Sequence, residues 1–132
     1  MVYKFAVSKK GYGVAIFIDV DEIRSPILLE NDLLIADRIY LRINHPIFFL
    51  SGDDVNKYIV RAIRDLSNEI YDKINDSTVC FFIHGLDTNP IYFQEEGLYC
   101  AMRGWLVQNY NLEVTSISFE LDEKNKKFIF DF

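Results

Sequence analysis

The sequence predicts an α/β domain with a mixed β-sheet of about five to six strands, on three observations. Short runs rich in β-branched and aromatic residues recur at 2–7, 14–20, 39–43 and 78–83. Two longer stretches place apolar or small residues at helical spacing: Val55, Ile59, Ala62, Leu66 and Ile70, then Gly97, Cys100, Ala101 and Gly104. The order strand, helix, strand over 78–119 implies one parallel pair joined by a right-handed crossover. With 132 residues, 50% of them hydrophobic and 15% aromatic, the chain has core material for a single domain, 1–132.

From the start of the chain, Val2–Val7 and Val14–Val20 flank a glycine-containing segment, Ser8 to Gly13, and read as an N-terminal hairpin. Gly11-Tyr12-Gly13 precedes a strand and lacks the G-x-x-x-x-G-K-[ST] pattern, so it reads as a turn needing positive φ and not as a phosphate loop. Residues 21–38 fit neither a helix nor a strand period, and both alternatives stay open. Ile39–Ile43 alternates as a strand, which Asn44-His45-Pro46 stops because proline cannot donate to a ladder. Ser51-Gly-Asp-Asp54 opens an amphipathic helix ending near Ile74, its acidic residues opposing the positive N-terminal dipole.

The strand at 78–83 then runs into His84-Gly-Leu-Asp-Thr-Asn-Pro90, whose turn residues predict a loop. A second helix is expected from Pro90 or Ile91 to Asn109, with proline suited to the first turn. Its stripe of small residues favours close packing on a sheet over a ligand groove, at a cost of about 1 kcal/mol per glycine. Leu112–Phe119 reads as a strand, and 122–127 as a charged turn before a terminal strand at 128–132, giving a C-terminal hairpin.

Residues 53–119, and "VCFFIHGLDTNP" above all, resemble the α/β-hydrolase family in its stretch from the helix before the third strand to the strand after the oxyanion loop. The resemblance implies that His84 and Gly85 shape a turn and that Leu86 or Asp87 offers an oxyanion amide. The family's nucleophile elbow should follow the next strand, yet the 13 residues after Phe119 hold no serine, glycine or histidine. Ser116 and Ser118 lie inside a predicted strand, where no strained elbow exposes them. A full triad therefore cannot be assembled from this chain.

Other chemistry is weaker still. His45 and His84, with Asp87 or an acid from Asp19, Asp21 or Glu22, could meet as metal ligands, but no spacing requires it, and no metal or cofactor is expected. Cys80 and Cys100 read as buried free thiols, and a Cys100–His84 nucleophile–base pair would need exposure and positive surroundings that a mid-helix thiol in an acidic chain lacks. Twenty acidic against fourteen basic residues give a net charge of −6, which disfavours nucleic acid as a partner and suits a basic protein surface. No window approaches the roughly 18 apolar residues that span a bilayer, so the expectation is a cytoplasmic protein without a membrane partner.

The residues expected to bind are the aromatics Tyr92, Tyr99 and Trp105, with Tyr58 flanking the first helix, and the acids Asp19, Asp21 and Glu22. The leading functional expectation is a non-catalytic protein-binding module, most concretely a bacterial immunity or toxin-neutralising protein that covers a basic surface. The alternative is a small or degenerate α/β-hydrolase-like enzyme using His84, Gly85 and Asp87.

Overall fold

A computed structural model of the chain describes residues 1–44, 51–89 and 92–132. Strands β1 (Val2–Lys9) and β2 (Tyr12–Arg24) form the expected hairpin. Its turn is tighter than 8–13: Lys10 and Gly11 both take positive φ, 52° and 82°, as in the primed two-residue turns that match strand twist. Gly13 sits within β2, opposite Ser8. The open segment 21–38 resolves into the end of β2, a loop, and the short strand β3 (Leu33–Ala36), followed by β4 (Ile39–Ile43).

Strand β5 (Val79–Thr88) lies at the centre of a five-stranded mixed sheet of order β1-β2-β5-β4-β3. It pairs antiparallel with β2 and parallel with β4, the sheet's one parallel pair among the described residues. This corrects the predicted crossover. The parallel connection runs from β4 through the first helical segment to β5, and not from β5 onward to 119. The apolar residues Leu112, Val114 and Ile117 are half-buried against the core, which needs no ladder partner, so 112–117 forms no strand. The second sheet is a hairpin of β6 (Ser118–Asp122) and β7 (Lys127–Asp131). The Gln94 side chain clamps it, donating to the Phe128 carbonyl and accepting from its amide.

The first helical segment begins where expected, with the Ser51 hydroxyl accepting from the Asp54 amide. It is not one helix. A turn, α1 (Gly52–Asp54), leads into a π-helical stretch at Val55–Val60, then α2 (Arg61–Asp65) and α3 (Ser67–Ile74), with the phase broken at Leu66. The predicted apolar stripe is buried at all five positions, and the wider π turn adds Val60 to it.

The second helix, α4 (Gly97–Tyr110), starts later than expected. Pro90 and Ile91 lie outside the described residues. The Tyr92 carbonyl accepts from Ala15 and Gln94 is held by Phe128, so residues 92–96 are tied to strands before the helix can begin. The small-residue stripe packs on the hairpin as predicted. A Cβ on Gly97 would come within 2.9 Å of Val14 and Ile16, and one on Gly104 within 2.3 Å of the Tyr3 ring.

Both helical segments cover one face of the sheet, against Val14, Ile16, Ile18, Val20, Ile39, Leu41, Phe81 and Ile83. Part of the other face is overlaid by residues 25–32, held chiefly by Arg42. Arg42 on β4 grips Asp32 with two bonds of 2.8 Å, and Asp32 also accepts from the Leu29 amide. The Asp32 side chain is only 2% exposed, so this is an enclosed bidentate pair and not a solvated surface contact. Arg42 holds the Asp32 carboxyl below its ordinary pKa. No helix among the described residues is long and apolar enough to cross a membrane.

Two outcomes test this packing. Gly104→Ala lowers stability by about 1–2 kcal/mol in chemical denaturation despite its gain in helix propensity, because Tyr3 must move, whereas Gly85→Ala, with open space around it, changes stability little. Asp32→Ala costs about 2–4 kcal/mol by leaving the Arg42 guanidinium without its partner.

Candidate functional site

The strand reaches further than the sequence suggested, and this relocates the residue of most interest. His84, Gly85, Leu86, Asp87 and Thr88 are strand residues of β5 and not a loop. The β2–β5 register runs Val20 to Ile83 and then Asp19 to Gly85, so His84 is the extra residue of a β-bulge. The turn-forming side chains are accommodated because β2 continues alongside and supplies a partner at each position from Gly85 to Thr88: Leu86 faces Ile18 and Asp87 faces Phe17.

The bulge directs His84 onto Asp21 of the neighbouring strand, with Nε2 and Oδ2 2.6 Å apart. Phe82, two residues earlier on the same face, stacks on the imidazole at 4.1 Å between ring centroids. The Asn44 amide donates to the His84 carbonyl. Asp21 also accepts from the N-terminal ammonium, which in addition approaches Asp19 at 3.5 Å. The bond from His84 is the main influence on the Asp21 carboxyl and lowers its pKa, with the ammonium acting the same way. The pair is half-exposed on a sheet face that no helix among the described residues covers. As chemistry, it is a histidine oriented by a carboxylate, the arrangement that orients a general base.

The expected groups divide sharply. His84, Gly85, Asp19, Asp21 and Asp87 come to one neighbourhood through the β2–β5 pairing. Glu22 is turned elsewhere, bonded to Arg24 and Asn109. Tyr99 and Trp105 are corrections. They are 2% and 1% exposed, core residues and not contact anchors. Tyr99 donates to Asp65 and stacks on Phe132, and Trp105 donates to the Met1 carbonyl and meets Phe81 edge-on. Trp105 follows the small residue Gly104, and the close approach of α4 to the hairpin carries the indole into the core with it.

Tyr92 is exposed, and its ring lies 3.5 Å from where a Gly13 Cβ would stand. Ser116 and Ser118 are exposed on the 112–122 segment, with no elbow between strand and helix. His45 lies outside the described residues. Among the described residues, no three His, Cys, Asp or Glu side chains are placed to hold a metal ion. Cys100 belongs to α4 on the covered side of the sheet, opposite His84, and burial pushes its thiol up to about 12 and that of Cys80 up to about 11. Neither is a thiolate at neutral pH.

Two features escaped the sequence. One is an acidic setting around Tyr58 in the π-helical stretch. Burial and then the nearby carboxylates of Glu96, Glu95 and Asp54 raise its phenol pKa, and none of these three acids has an ion-pair partner among the described residues. The Glu95-Glu96 doublet was the readable signal, but only the fold brings it to Tyr58. The other is a ridge of exposed apolar side chains on residues 27–34, whose signal was a leucine-rich run with no period able to bury it.

Comparison of the chain with protein families, with curated proteins and with solved structures gives no match.

The His84–Asp21 contact carries a pH signature. In an NMR titration of the side-chain carboxyls, Asp21 titrates below the ordinary value of about 3.9, and His84→Ala returns it toward that value. Because the folded value is the lower one, the contribution of the pair to stability is present above the unfolded pKa and is lost as pH falls through the folded one.

Proposed function

We propose that the chain is a non-catalytic protein-binding module, most concretely a bacterial immunity or toxin-neutralising protein, cytoplasmic and directed at a basic partner surface. The observation that carries the reading is Tyr58 set among Asp54, Glu95 and Glu96. Carboxylates without local partners can receive lysine or arginine side chains, and a half-buried tyrosine supplies a rigid, amphipathic contact at little entropic cost. The net charge of −6 speeds encounter with a basic protein and repels nucleic acid. This site replaces the contact predicted at Tyr99 and Trp105 and keeps the predicted partner chemistry.

A second reading has one observation in its favour. The His84–Asp21 pair has the geometry of an oriented base, which supports a hydrolase-like enzyme related in form to the family that 53–119 resembles. It ranks second because the described surface presents no serine elbow or reactive thiol beside that histidine.

Both readings are tested together. The tagged chain should retain a basic protein at low salt and release it as salt rises. That protein, expressed alone, should arrest growth, and co-expression of the chain should relieve the arrest. Tyr58→Ala combined with Glu95→Lys and Glu96→Lys should weaken capture by at least tenfold and abolish relief. Capture and relief that ignore all three substitutions contradict the assignment. Turnover of an ester or amide panel, lost in a folded His84→Ala variant, would instead establish the enzyme.

A further inference from the structure

We infer that the outer edge of β1 is a strand-addition site, and that its occupant is an extended acidic segment of another protein. β1 ends the sheet at the edge opposite β3 and includes none of Tyr58, Asp54, Glu95 or Glu96. The inference therefore does not rest on the partner site proposed there.

The turn fixes which backbone groups are free. Lys10 and Gly11 form a two-residue turn with both φ values positive, so Lys9 and Tyr12, which close it, exchange both of their backbone bonds. Bonded and non-bonded pairs then alternate down the ladder. At its far end Met1 and Val20 are again bonded both ways, the Val20 amide donating to the Met1 carbonyl and the Met1 ammonium to the Val20 carbonyl. Val7, Phe5 and Tyr3 therefore direct their backbone groups to β2, whereas Ser8, Ala6, Lys4 and Val2 turn theirs outward. Among the described residues, no other strand or loop bonds to the backbone of these four.

The two edges of the sheet are finished differently. β3 is four residues long, its register shifts between Leu34 and Ala36, and Arg64 takes up the Ile35 carbonyl, all of which blunt an edge. β1 runs for eight residues in unbroken register and contains no proline. An added strand of ordinary length, about 5–6 residues, can pair along it fully.

Charge selects the occupant. From Met1 to Ile18 the sequence holds three lysines, Lys4, Lys9 and Lys10, and no acid, within a chain of net charge −6. Lys10 pairs with Glu123, and Asp122, which shares a hollow with Lys9, is bonded to Asn125. Lys4 and Lys9 have no ion-pair partner among the described residues. Two copies joined along β1 would bring these lysines together, whereas an acidic strand meets them as opposite cross-strand charges.

Shape adds a requirement. The four outward-facing residues are exposed, with their side chains on the face opposite the helices. Ala6 and Ser8, with Gly13 and Ala15 beside them on β2, floor an open hollow of about 570 Å³ against the exposed Tyr92 ring. An aromatic side chain of the incoming strand fits over this low floor and packs on Tyr92.

The probe is a capped peptide of about eight residues in which glutamates and one central tyrosine alternate with valines, and a control peptide carries lysine in place of glutamate. Binding to the full chain is followed by amide hydrogen exchange and chemical shifts. In the free protein the amides of Val2, Lys4, Ala6 and Ser8 should exchange quickly and those of Tyr3, Phe5 and Val7 slowly. The glutamate peptide should slow the first set about tenfold or more, leave the second unchanged, and bind about tenfold tighter than the lysine peptide. Lys4→Glu combined with Lys9→Glu should reverse that preference. Ala6→Pro removes an outward N–H without touching the β2 ladder, and should abolish the protection in a protein that circular dichroism shows to be folded. No protection of the four amides at millimolar glutamate peptide, protection confined to other residues, or equal binding of the two peptides overturns the inference. A doubled molar mass with the same four amides protected in the absence of peptide overturns it too, by giving the edge to a second copy.

Discussion

The position of β5 is the constraint from which the remaining arrangement follows. As the central strand it is paired along both edges, parallel to β4 and antiparallel to β2, and its Val79, Phe81 and Ile83 form the middle of the core. Its length matters as much as its place. Because it runs on through Thr88 beside β2, the polar half of the strand must be fitted to a partner that is one residue short, and the bulge at His84 absorbs the difference. The His84–Asp21 contact, the burial of α4 over the hairpin and the two-layer form with one open face all depend on that pairing.

The open face explains why titratable groups gather where they do. The helices of the described residues cover the side that carries Ile16, Ile18 and Ile83, so alternation sends Phe82 and Asp21 to the other side, and the bulge adds His84 to it. Arg42 shares that side. It binds Asp32, thereby drawing residues 25–32 over the sheet, and it lies 5.5 Å from the Phe82 ring centre. The same guanidinium therefore both closes part of the open face and fixes the apolar ridge at its edge. Burial holds the Cys100 thiol and the hydroxyls of Tyr99 and Tyr110 protonated on the covered side, and the Cys80 thiol on the side that carries Arg42.

Local pattern revealed the elements and not their partners. The hairpins, the Ser51 cap, the buried stripe at 55–70 and the close-packed glycines of α4 were legible because each depends on residues near in sequence. Errors arose where a distant segment decides. His-Gly-Leu-Asp-Thr has the composition of a turn, and only β2, more than sixty residues earlier, makes it a strand. Leu112 to Ile117 alternates like a strand and lacks a ladder neighbour. Trp105 and Tyr99 read as surplus to one helical face, whereas α4 is enclosed by the hairpin, the first helical segment and Phe132, so that aromatics on several faces are buried. The ridge at 27–34 could be seen as an apolar run, but its exposure follows from the Arg42–Asp32 tether, which no local period announces.

The central claim is that His84 belongs to a bulged strand that faces Asp21. Cross-strand nuclear Overhauser contacts in the 84–88 region measure it directly. The account predicts contacts of Gly85 with Asp19, of Leu86 with Ile18 and of Asp87 with Phe17, together with a contact from the His84 ring to the Asp21 side chain. Contacts confined to neighbours within 84–88, with none to β2, would return His84 to a loop and contradict it.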